Sequence, residues 1–290
     1  MENIPDISFA KNKNAKFGLE TFSIDYLYDK DEALTNSIKN YHKLKFYMLL
    51  FVSEGKSSHY IDFKKYNITR GDLLFIAKNQ VHSFESIQKI KGSIVIFTEE
   101  FLTKNLSTQD IHAYLRLFNY QLNSPKLSLS KEMQKGIPNI IQSLAHEMKQ
   151  DNEYLKEDLL RNTLRILLLK CERELNKTFP LEQSTHFKDF IKFQQLVSEL
   201  HTKKHNAQDY ADKMNISYKH LNDICKEFTS KTAKGFIDDY IILEAKRHLS
   251  IKEIPIKEIA YSLGFEETTN FTKFFKKRTN FTPKDFRFSI

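Results

Sequence analysis

The first hundred residues alternate short apolar runs with turn residues, a pattern typical of β-strands. The run FYMLLFVSEG (Phe46–Gly55) ends at a glycine, and GSIVIFT (Gly92–Thr98) is a second apolar run. Between them, Ser58–Glu85 predicts three short strands, interrupted at Gly71-Asp72 and at Lys78-Asn79. Several short strands at this spacing predict a β-sandwich or a β-barrel.

The period of the apolar positions changes after about Lys131, and helices are predicted from there. Apolar residues recur at three- and four-residue steps from Met133 to Met148, as on an amphipathic helix. The longer segment Glu153–Leu175 is apolar on more than one side, so we expect this helix to be buried on two sides. Its Leu160–Leu169 stretch either packs within the domain or forms a dimer seam. The polar, proline-containing segment Asn176–Asp189 is the best candidate linker.

The last hundred residues contain a near-repeat of a helix, a sharp turn and a second helix. YADKMNIS (Tyr210–Ser217) parallels IAYSLGFE (Ile259–Glu266), so that Asn215 takes the place of Gly264. Glycine, and asparagine after it, are the residues that best adopt the left-handed backbone conformation ending a helix. We therefore predict a helix-ending turn at each position, with Asn206 and Ser217 as N-caps in the first copy.

The second helix of each copy has an apolar inner stripe and a polar outer face. The predicted inner stripes are Leu221, Ile224, Cys225 and Phe228 in the first copy and Phe271, Phe274 and Phe275 in the second. One helix that packs and another that presents a polar, basic face are the features of a helix-turn-helix. A plain helical domain would not be expected to repeat these assignments. Phe236–Leu249 is predicted to be a long helix that connects the two copies.

Composition and charge are compatible with two domains and a polyanionic partner. The chain has 290 residues, 40% of them hydrophobic, and a formal net charge of +8. Between Lys273 and Arg287, six cations face only Asp285. The cysteines Cys171 and Cys225 form no CxxC pair, which argues against a disulfide scaffold or a zinc knuckle. The sequence shows no signal peptide and no membrane-spanning apolar run, so we expect a cytoplasmic protein without a membrane partner.

Three C-terminal segments, IKEIAYSLGF, NFTKFFKKRTNFTPKDFR and IILEAKRHL, resemble the DNA-binding domain of the AraC/XylS family of bacterial transcription regulators. HYIDFKKYNITRGDLLFI and NQVHSF carry a weaker similarity to the cupin-like sensor domain common in that family. The resemblance implies an α+β protein with three regions. These are a cupin-like β-barrel sensor domain (residues 1–125), a helical dimerisation or linker region (126–185) and an all-α DNA-binding domain with two helix-turn-helix units (186–290).

The resemblance also implies that the C-terminal domain has seven helices and that its two units enter successive major grooves of double-stranded promoter DNA. RNA polymerase is a further partner implied by the family, and a small-molecule effector and a homodimer are considered. The main hypothesis is a sequence-specific regulator modulated by an effector or by dimerisation. The alternatives are a cupin-type metal enzyme with an accessory nucleic-acid-binding tail and a purely architectural DNA binder.

The predicted DNA-contacting residues combine the outward helix positions with the family's motif. They are Tyr218, Lys219, Asn222 and Lys226 in the first unit and Thr268, Thr269, Asn270, Lys273 and Lys276 in the second. Ser230 and Asn280 stand where a glycine usually follows the recognition helix, and we expect the turn at Ser230 to differ. Asp223 stands at a base-facing position where many members have a basic or polar residue. It either reads a base or faces away, and pairing with Lys219 or Lys226 is the expected role.

No catalytic residue, metal ligand or cofactor is predicted. A catalytic metal site needs about three convergent His or carboxylate ligands. His42, His59 and His82 lack the usual cupin pattern of two histidines one residue apart followed by Glu, and His59 and His82 stand alone in the sequence. They are expected to be surface or hydrogen-bonded residues. Histidines in helical patterns, His205 among them, are expected to be solvated or capping.

The interior of the predicted barrel is apolar, and two interpretations of it stay open. The residues considered as its lining are Phe46, Leu49, Tyr60, Phe75 and Phe84. They either surround a small-molecule site or fill a core. No effector-binding residue is assigned.

Overall fold

The computed structural model describes residues 6–7, 17–26, 40–85, 89–104, 116–178 and 186–290. These residues divide into two compact units, one ending at residue 178 and one beginning at residue 186. The first unit combines a β-sheet with helices, and the second is helical throughout. The predicted fold class, an α+β N-terminal part before an all-α C-terminal part, is confirmed. The finer division into three regions stays a prediction.

The strands of the first unit are separated by short turns. They are β1 (Asp6–Ile7), β2 (Leu19–Ser23), β3 (His42–Leu44), β4 (Tyr47–Ile61), β5 (Lys64–Thr69), β6 (Asp72–Ile76), β7 (Val81–Phe84), β8 (Ile90–Phe97) and β9 (Lys126–Ser128). The β4–β5 turn consists of Asp62 and Phe63, whose φ angles are both positive, at 48° and 65°. Positive φ at both central residues is the requirement of a two-residue type I′ hairpin. The Asp62 carboxylate also accepts a hydrogen bond from Gln80 Nε2 at 2.8 Å, which ties this turn to the start of β7.

The long strand β4 lies at the centre of the sheet. Its first half pairs with β6 and β8, and its second half pairs with β5 and β7, in every case antiparallel. The register with β8 shifts between Val52 and Glu54. A bulge of this kind bends the strand and increases its twist, so β4 contributes to both halves of the sheet.

The described strands do not close into a barrel. The pairing order is β1-β3-β7-β4-β6-β9, with β2 paired only to β8 and β5 paired only to β4. The strands at the two ends of this order, β1 and β9, are two and three residues long. Such short strands offer few backbone groups for closure, so the predicted β-barrel is corrected to an open sheet.

The five residues considered as one interior lining lie on different faces of the sheet. Successive side chains of a strand point to opposite faces. Phe46 and Phe84 belong to one apolar cluster, whereas Leu49 and Phe75 belong to a second cluster that includes the helices. Tyr60 is partly exposed. The set therefore does not form one ligand-lining surface.

The helices with described bounds in the first unit are α1 (Glu99–Thr103), α2 (Lys131–Lys149) and α3 (Lys156–Thr178). The α3 residues Leu160, Leu164, Leu167 and Leu168 are buried in the cluster formed by the helices and the sheet. Leu159, Ile166 and Leu169, on another side of α3, remain 50%, 49% and 49% exposed. The expectation that this helix is buried on two sides is therefore wrong within the unit.

Seven helices make up the described residues 186–290, the number that the family resemblance implied. They are α4 (Phe187–Leu200), α5 (Ala207–Met214), α6 (Tyr218–Thr229), α7 (Ala233–Leu249), α8 (Ile256–Ser262), α9 (Thr268–Thr279) and α10 (Pro283–Ser289). The predicted connecting helix is α7, which contacts α5, α6, α8 and α10. Within the part of the chain that the structure describes, no helix is both long and apolar enough to cross a membrane.

Candidate nucleic-acid interface

Side-chain caps and a left-handed turn build the first helix-turn-helix, formed by α5 and α6. The Asn206 side chain accepts a hydrogen bond from Gln208 N at 3.2 Å and caps α5. Asn215 ends α5 at φ 55° and ψ 43°. Ser217 Oγ then accepts a hydrogen bond from His220 N at 3.1 Å and caps α6. Each N-cap bond satisfies a backbone N–H that has no partner within the helix.

The second helix-turn-helix, formed by α8 and α9, turns at Gly264. Its φ of +83° lies in the region that residues with a Cβ rarely adopt. Space gives a second reason for glycine, since a Cβ atom built here would lie 2.1 Å from the carbonyl oxygen of Thr202. Gly264 is therefore required both by its backbone conformation and by the close approach of the α4–α5 loop.

Both recognition helices end in the same way, although their C-caps differ. Ser230 after α6 has φ 57° and ψ 17°, and Asn280 after α9 has φ 64° and ψ 2°. Each donates its backbone N–H to the carbonyl four residues earlier. The expectation that the turn at Ser230 differs is wrong, because serine takes the left-handed conformation here.

The inner stripes of both recognition helices hold them in the core of the unit. Leu221, Ile224 and Cys225 of α6 are fully buried, as are Phe271 and Phe275 of α9. The remaining predicted members, Phe228 and Phe274, are partly buried. Burying a side chain of this size contributes about 1.5–3 kcal/mol, so these stripes fix which face of each helix is turned outward.

The outer faces of α6 and α9 present most of the predicted contact residues to solvent. Tyr218, Lys219 and Lys226 are exposed on α6, and Thr269, Asn270, Lys273 and Lys276 are exposed on α9. Thr268 is partly exposed, and the Thr269 hydroxyl donates to Glu267 Oε2 at 2.9 Å. We call the exposed residues Tyr218, Lys219 and Lys226 the reading face of α6. The exposed residues Thr269, Asn270, Lys273 and Lys276 are the reading face of α9.

Asn222 is the exception among the predicted contact residues, because it is only 9% exposed. Its Nδ2 donates to the Tyr218 carbonyl at 3.0 Å, and its Oδ1 accepts from Ala233 N at 3.0 Å. The amide therefore satisfies a backbone N–H in the first turn of α7. Its two hydrogen bonds suit a structural role, and we do not include Asn222 in the reading face.

Two arginines of the expected cationic cluster are used inside the unit. Arg278 of α9 forms an ion pair with Asp238 of α7. Arg287 donates to the carbonyls of Leu249, Lys252 and Ile254 at 3.2, 3.3 and 2.7 Å. These contacts attach α9 and α10 to α7 and to the loop that follows it.

A histidine joins the two helix-turn-helix units directly. His205 Nε2 donates to the Leu263 carbonyl at 2.8 Å, and its ring lies 4.9 Å from that of Phe265. The His205 carbonyl accepts from Lys234 Nζ at 2.9 Å. This residue was expected to be solvated or capping, and no local signal indicates a contact between residues 58 positions apart.

Comparison with protein families identifies both compact units of the chain, the sheet-containing first unit and the helical second unit. Residues 31–169 match the model of the AraC-like ligand binding domain, and residues 210–288 match a helix-turn-helix domain. The chain belongs to the AraC family of transcription regulators. It is therefore an AraC-type transcription regulator with an effector-binding domain and a helix-turn-helix DNA-binding domain.

Proteins similar to this AraC-type chain include a curated activator and two solved structures. The HTH-type transcriptional activator RhaR of Escherichia coli (strain K12) is 26% identical over 249 residues, which cover 85% of this chain and 86% of RhaR. The structure of ToxT from Vibrio cholerae is similar at 15% identity and a TM-score of 0.47, covering 94% of this chain and 99% of ToxT. The C-terminal domain of the response regulator yesN from Fusobacterium nucleatum is 24% identical with a TM-score of 0.33, covering 34% and 98%.

In the ligand-binding domain of this AraC-type chain, three histidines that are separate in the sequence meet inside the sheet. His42, His59 and His82 are 2%, 0% and 1% exposed. The His42 and His82 rings lie 4.0 Å apart, and His82 Nδ1 lies 3.1 Å from His59 Nε2. His42 Nδ1 donates to the Asn40 carbonyl at 3.0 Å. His59 Nδ1 and His82 Nε2 are buried without a hydrogen-bond partner.

Burial keeps these three imidazoles neutral. It lowers the pKa of His42 to about 4 and that of His59 to about 3, and the pKa of His82 also lies well below its ordinary value. Among the described residues, no three His, Cys, Asp or Glu side chains are placed to hold a metal ion. These histidines were expected to be surface or hydrogen-bonded residues: they are not on the surface, but His42 Nδ1 and the His59–His82 pair do form hydrogen bonds.

Proposed function

We propose that this AraC-type regulator recognises promoter DNA through the reading faces of α6 and α9, each inserted into a major groove. The observation that carries the proposal is the separation of the two sides of each helix. The inner stripes are buried, while Tyr218, Lys219, Lys226, Thr269, Asn270, Lys273 and Lys276 are exposed. Thr and Asn side chains bond base edges, and lysines contact phosphates or bases.

Selection of bound sequences from random duplex DNA tests this proposal. A regulator with two reading faces is expected to recover a motif with two conserved blocks. Recovery of duplexes without any shared motif would contradict it and would favour an architectural DNA binder.

The salt dependence of binding gives an independent test. The reading faces and the adjoining Lys277 offer five exposed lysines, and each phosphate contact contributes a slope of about −0.9 in log K against log salt. We therefore expect a slope of about −4.5 when all five contact phosphates. A flat salt dependence would count against the proposal.

We also propose that a second copy of the chain docks on the exposed side of α3. Leu159, Ile166 and Leu169 are half exposed there. The helix begins with the exposed acidic residue Asp158 and ends with exposed Arg173 and Lys177. Antiparallel pairing of two copies would cover the apolar side chains and would bring the acidic end of each opposite the basic end of the other. The predicted seam Leu160–Leu169 is thereby narrowed to Ile166 and Leu169, and Leu159 is added to it.

Sedimentation of the full chain tests the dimer. The wild-type protein is expected to be a dimer at micromolar concentration, and Ile166→Lys is expected to be a monomer with unchanged thermal stability. Leu164→Ala serves as the contrast, because Leu164 is buried within the unit, so this change should lower stability without a comparable effect on association. A monomeric wild-type protein would refute the docking surface.

Regulation through RNA polymerase and through a small effector bound by the first unit completes the proposal. The matched ligand binding domain supports the effector. The relative RhaR is named a transcriptional activator, and we propose activation for this chain as well. Transcription from a promoter carrying the selected motif, reconstituted with purified polymerase, is expected to increase when the protein is added. An equal or lower transcript yield would oppose activation.

A further inference from the structure

Asp223 carries a carboxylate and lies on α6 between Lys219 and Lys226, two residues of the reading face. It is exposed, and Lys219, Lys226 and Glu227 are its neighbours one helical turn away. The other carboxylate, Glu227, lies 2.7 Å from His186 Nδ1. Across the described residues, no hydrogen bond or ion pair holds the Asp223 carboxylate, so the expected pairing with Lys219 or Lys226 is not formed.

A carboxylate in this position is unfavourable beside DNA unless it is used. Phosphates surround an inserted recognition helix, and a negative charge near them lowers the affinity for every sequence. The cost is offset where a base edge presents a hydrogen-bond donor. In the major groove, cytosine itself presents only a donor, its N4 amino group, whereas adenine presents the acceptor N7 beside its amino group. A carboxylate only accepts hydrogen bonds, so cytosine is the base that it fits.

Of the two carboxylates on α6, Glu227 lies 2.7 Å from His186 Nδ1, which leaves Asp223 as the one available to a base edge. The neighbouring Asn222 uses its amide within the unit, as described above. The exposed lysines are donors only. Helix α9 contains no carboxylate in Thr268–Thr279. A carboxylate acceptor within the recognition helix therefore distinguishes the first helix-turn-helix from the second.

We propose that Asp223 determines specificity in the first helix-turn-helix by accepting a hydrogen bond from the N4 amino group of a cytosine. This inference rests on the proposed function, in which α6 enters a major groove. It assigns one position of the recognised sequence to one residue. It also identifies Asp223 as the residue that lowers the affinity for duplexes with another base at that position.

Selection from random duplex DNA with wild-type protein and with Asp223→Asn tests the inference. The wild type should recover cytosine at one position of the first block. The variant should lose that preference by about tenfold and should favour adenine, because an asparagine amide pairs with N6 and N7 of adenine. Glu199→Gln is the matched control. It removes the same charge from an exposed carboxylate on α4, a helix that carries none of the proposed DNA-contacting residues, and should leave the motif unchanged.

Two outcomes of this experiment distinguish a failure of the inference about Asp223 from a failure of the proposed function. If wild type and Asp223→Asn recover the same base at every position while all duplexes bind more tightly, Asp223 is only a repulsive charge and the inference is wrong. If the wild type itself recovers no motif, the proposed function fails first. Thermal melting of the Asp223→Asn protein should match that of the wild type, since the carboxylate has no partner to lose.

Discussion

Replacing Gly264 by alanine should damage the second helix-turn-helix through two separable effects. The first is conformational, since alanine at φ +83° costs about 1–2 kcal/mol. The second is steric, since the new methyl carbon would lie 2.1 Å from the carbonyl oxygen of Thr202. That oxygen belongs to backbone and cannot rotate away. The α4–α5 loop would have to move, and the His205–Leu263 hydrogen bond, worth about 1 kcal/mol, would be lost with it.

The two effects together predict that the helical unit beginning at residue 186 loses about 3 kcal/mol of stability. Hydrogen exchange of the full-length protein, read from peptides of α8 and α9, measures this loss separately from the first unit. Gly136→Ala is the control. A Cβ at Gly136 meets no atom within 4 Å, so alanine in this helix interior should stabilise the first unit by about 0.5–1 kcal/mol.

Gly264→Asn distinguishes conformation from contact. Asparagine already occupies the equivalent turn at Asn215 with φ 55°, so backbone strain alone would leave this variant close to wild type. Contact with Thr202 predicts instead that Gly264→Asn is destabilised almost as much as Gly264→Ala. Wild-type protection in α8 and α9 of the asparagine variant would refute the steric part of this reasoning. Wild-type protection in the alanine variant would refute all of it.

Three further predictions concern other residues. Lys273→Ala should weaken specific DNA binding by about 1–3 kcal/mol, and an equal loss on random DNA would show that Lys273 contacts only phosphate. Asn222→Ala should lower the stability of the second unit by about 1–3 kcal/mol, seen in thermal melting, while the motif recovered from random DNA stays the same. The histidine cluster should make the first unit acid-sensitive. The pKa of His42 is lowered to about 4, so its stabilising contribution is complete above pH 6.5 and is lost as the pH falls towards 4. Denaturant titrations across this range should show the loss, about 3 kcal/mol for His42, and a flat profile would contradict it.

Much of the second unit could be predicted from the sequence because its signals are local. Asn206 and Ser217 cap helices whose first turns immediately follow them, and Asn215 and Gly264 end helices that immediately precede them. The apolar spacing of three and four residues also fixed the inner stripe of α9, because Phe271 and Phe275 lie one helical turn apart. Each of these features depends on residues within about five positions of one another.

The features that were missed depend on residues brought together by the fold. His42 and His82 are cross-strand partners of β3 and β7, and His59 reaches them because β4 pairs with β7 as well. Arg278 lies in a basic run, and only its packing against Asp238, 40 positions away, shows that it is used within the unit. Periodicity assigns a face to a side chain but does not reveal which backbone or side chain that face will meet.

With the proposed recognition of two DNA blocks, the contacts of Gly264 with Thr202 and of His205 with Leu263 would limit how the binding sites of this regulator can evolve. Inserting one base pair between the two recognised blocks moves them apart by about 3.4 Å and rotates one against the other by about 35°. Two helix-turn-helix units that are joined through these backbone contacts cannot follow such a displacement. Substitutions within a block change its affinity gradually, whereas an insertion between the blocks removes one of them from reach even when every base letter is kept.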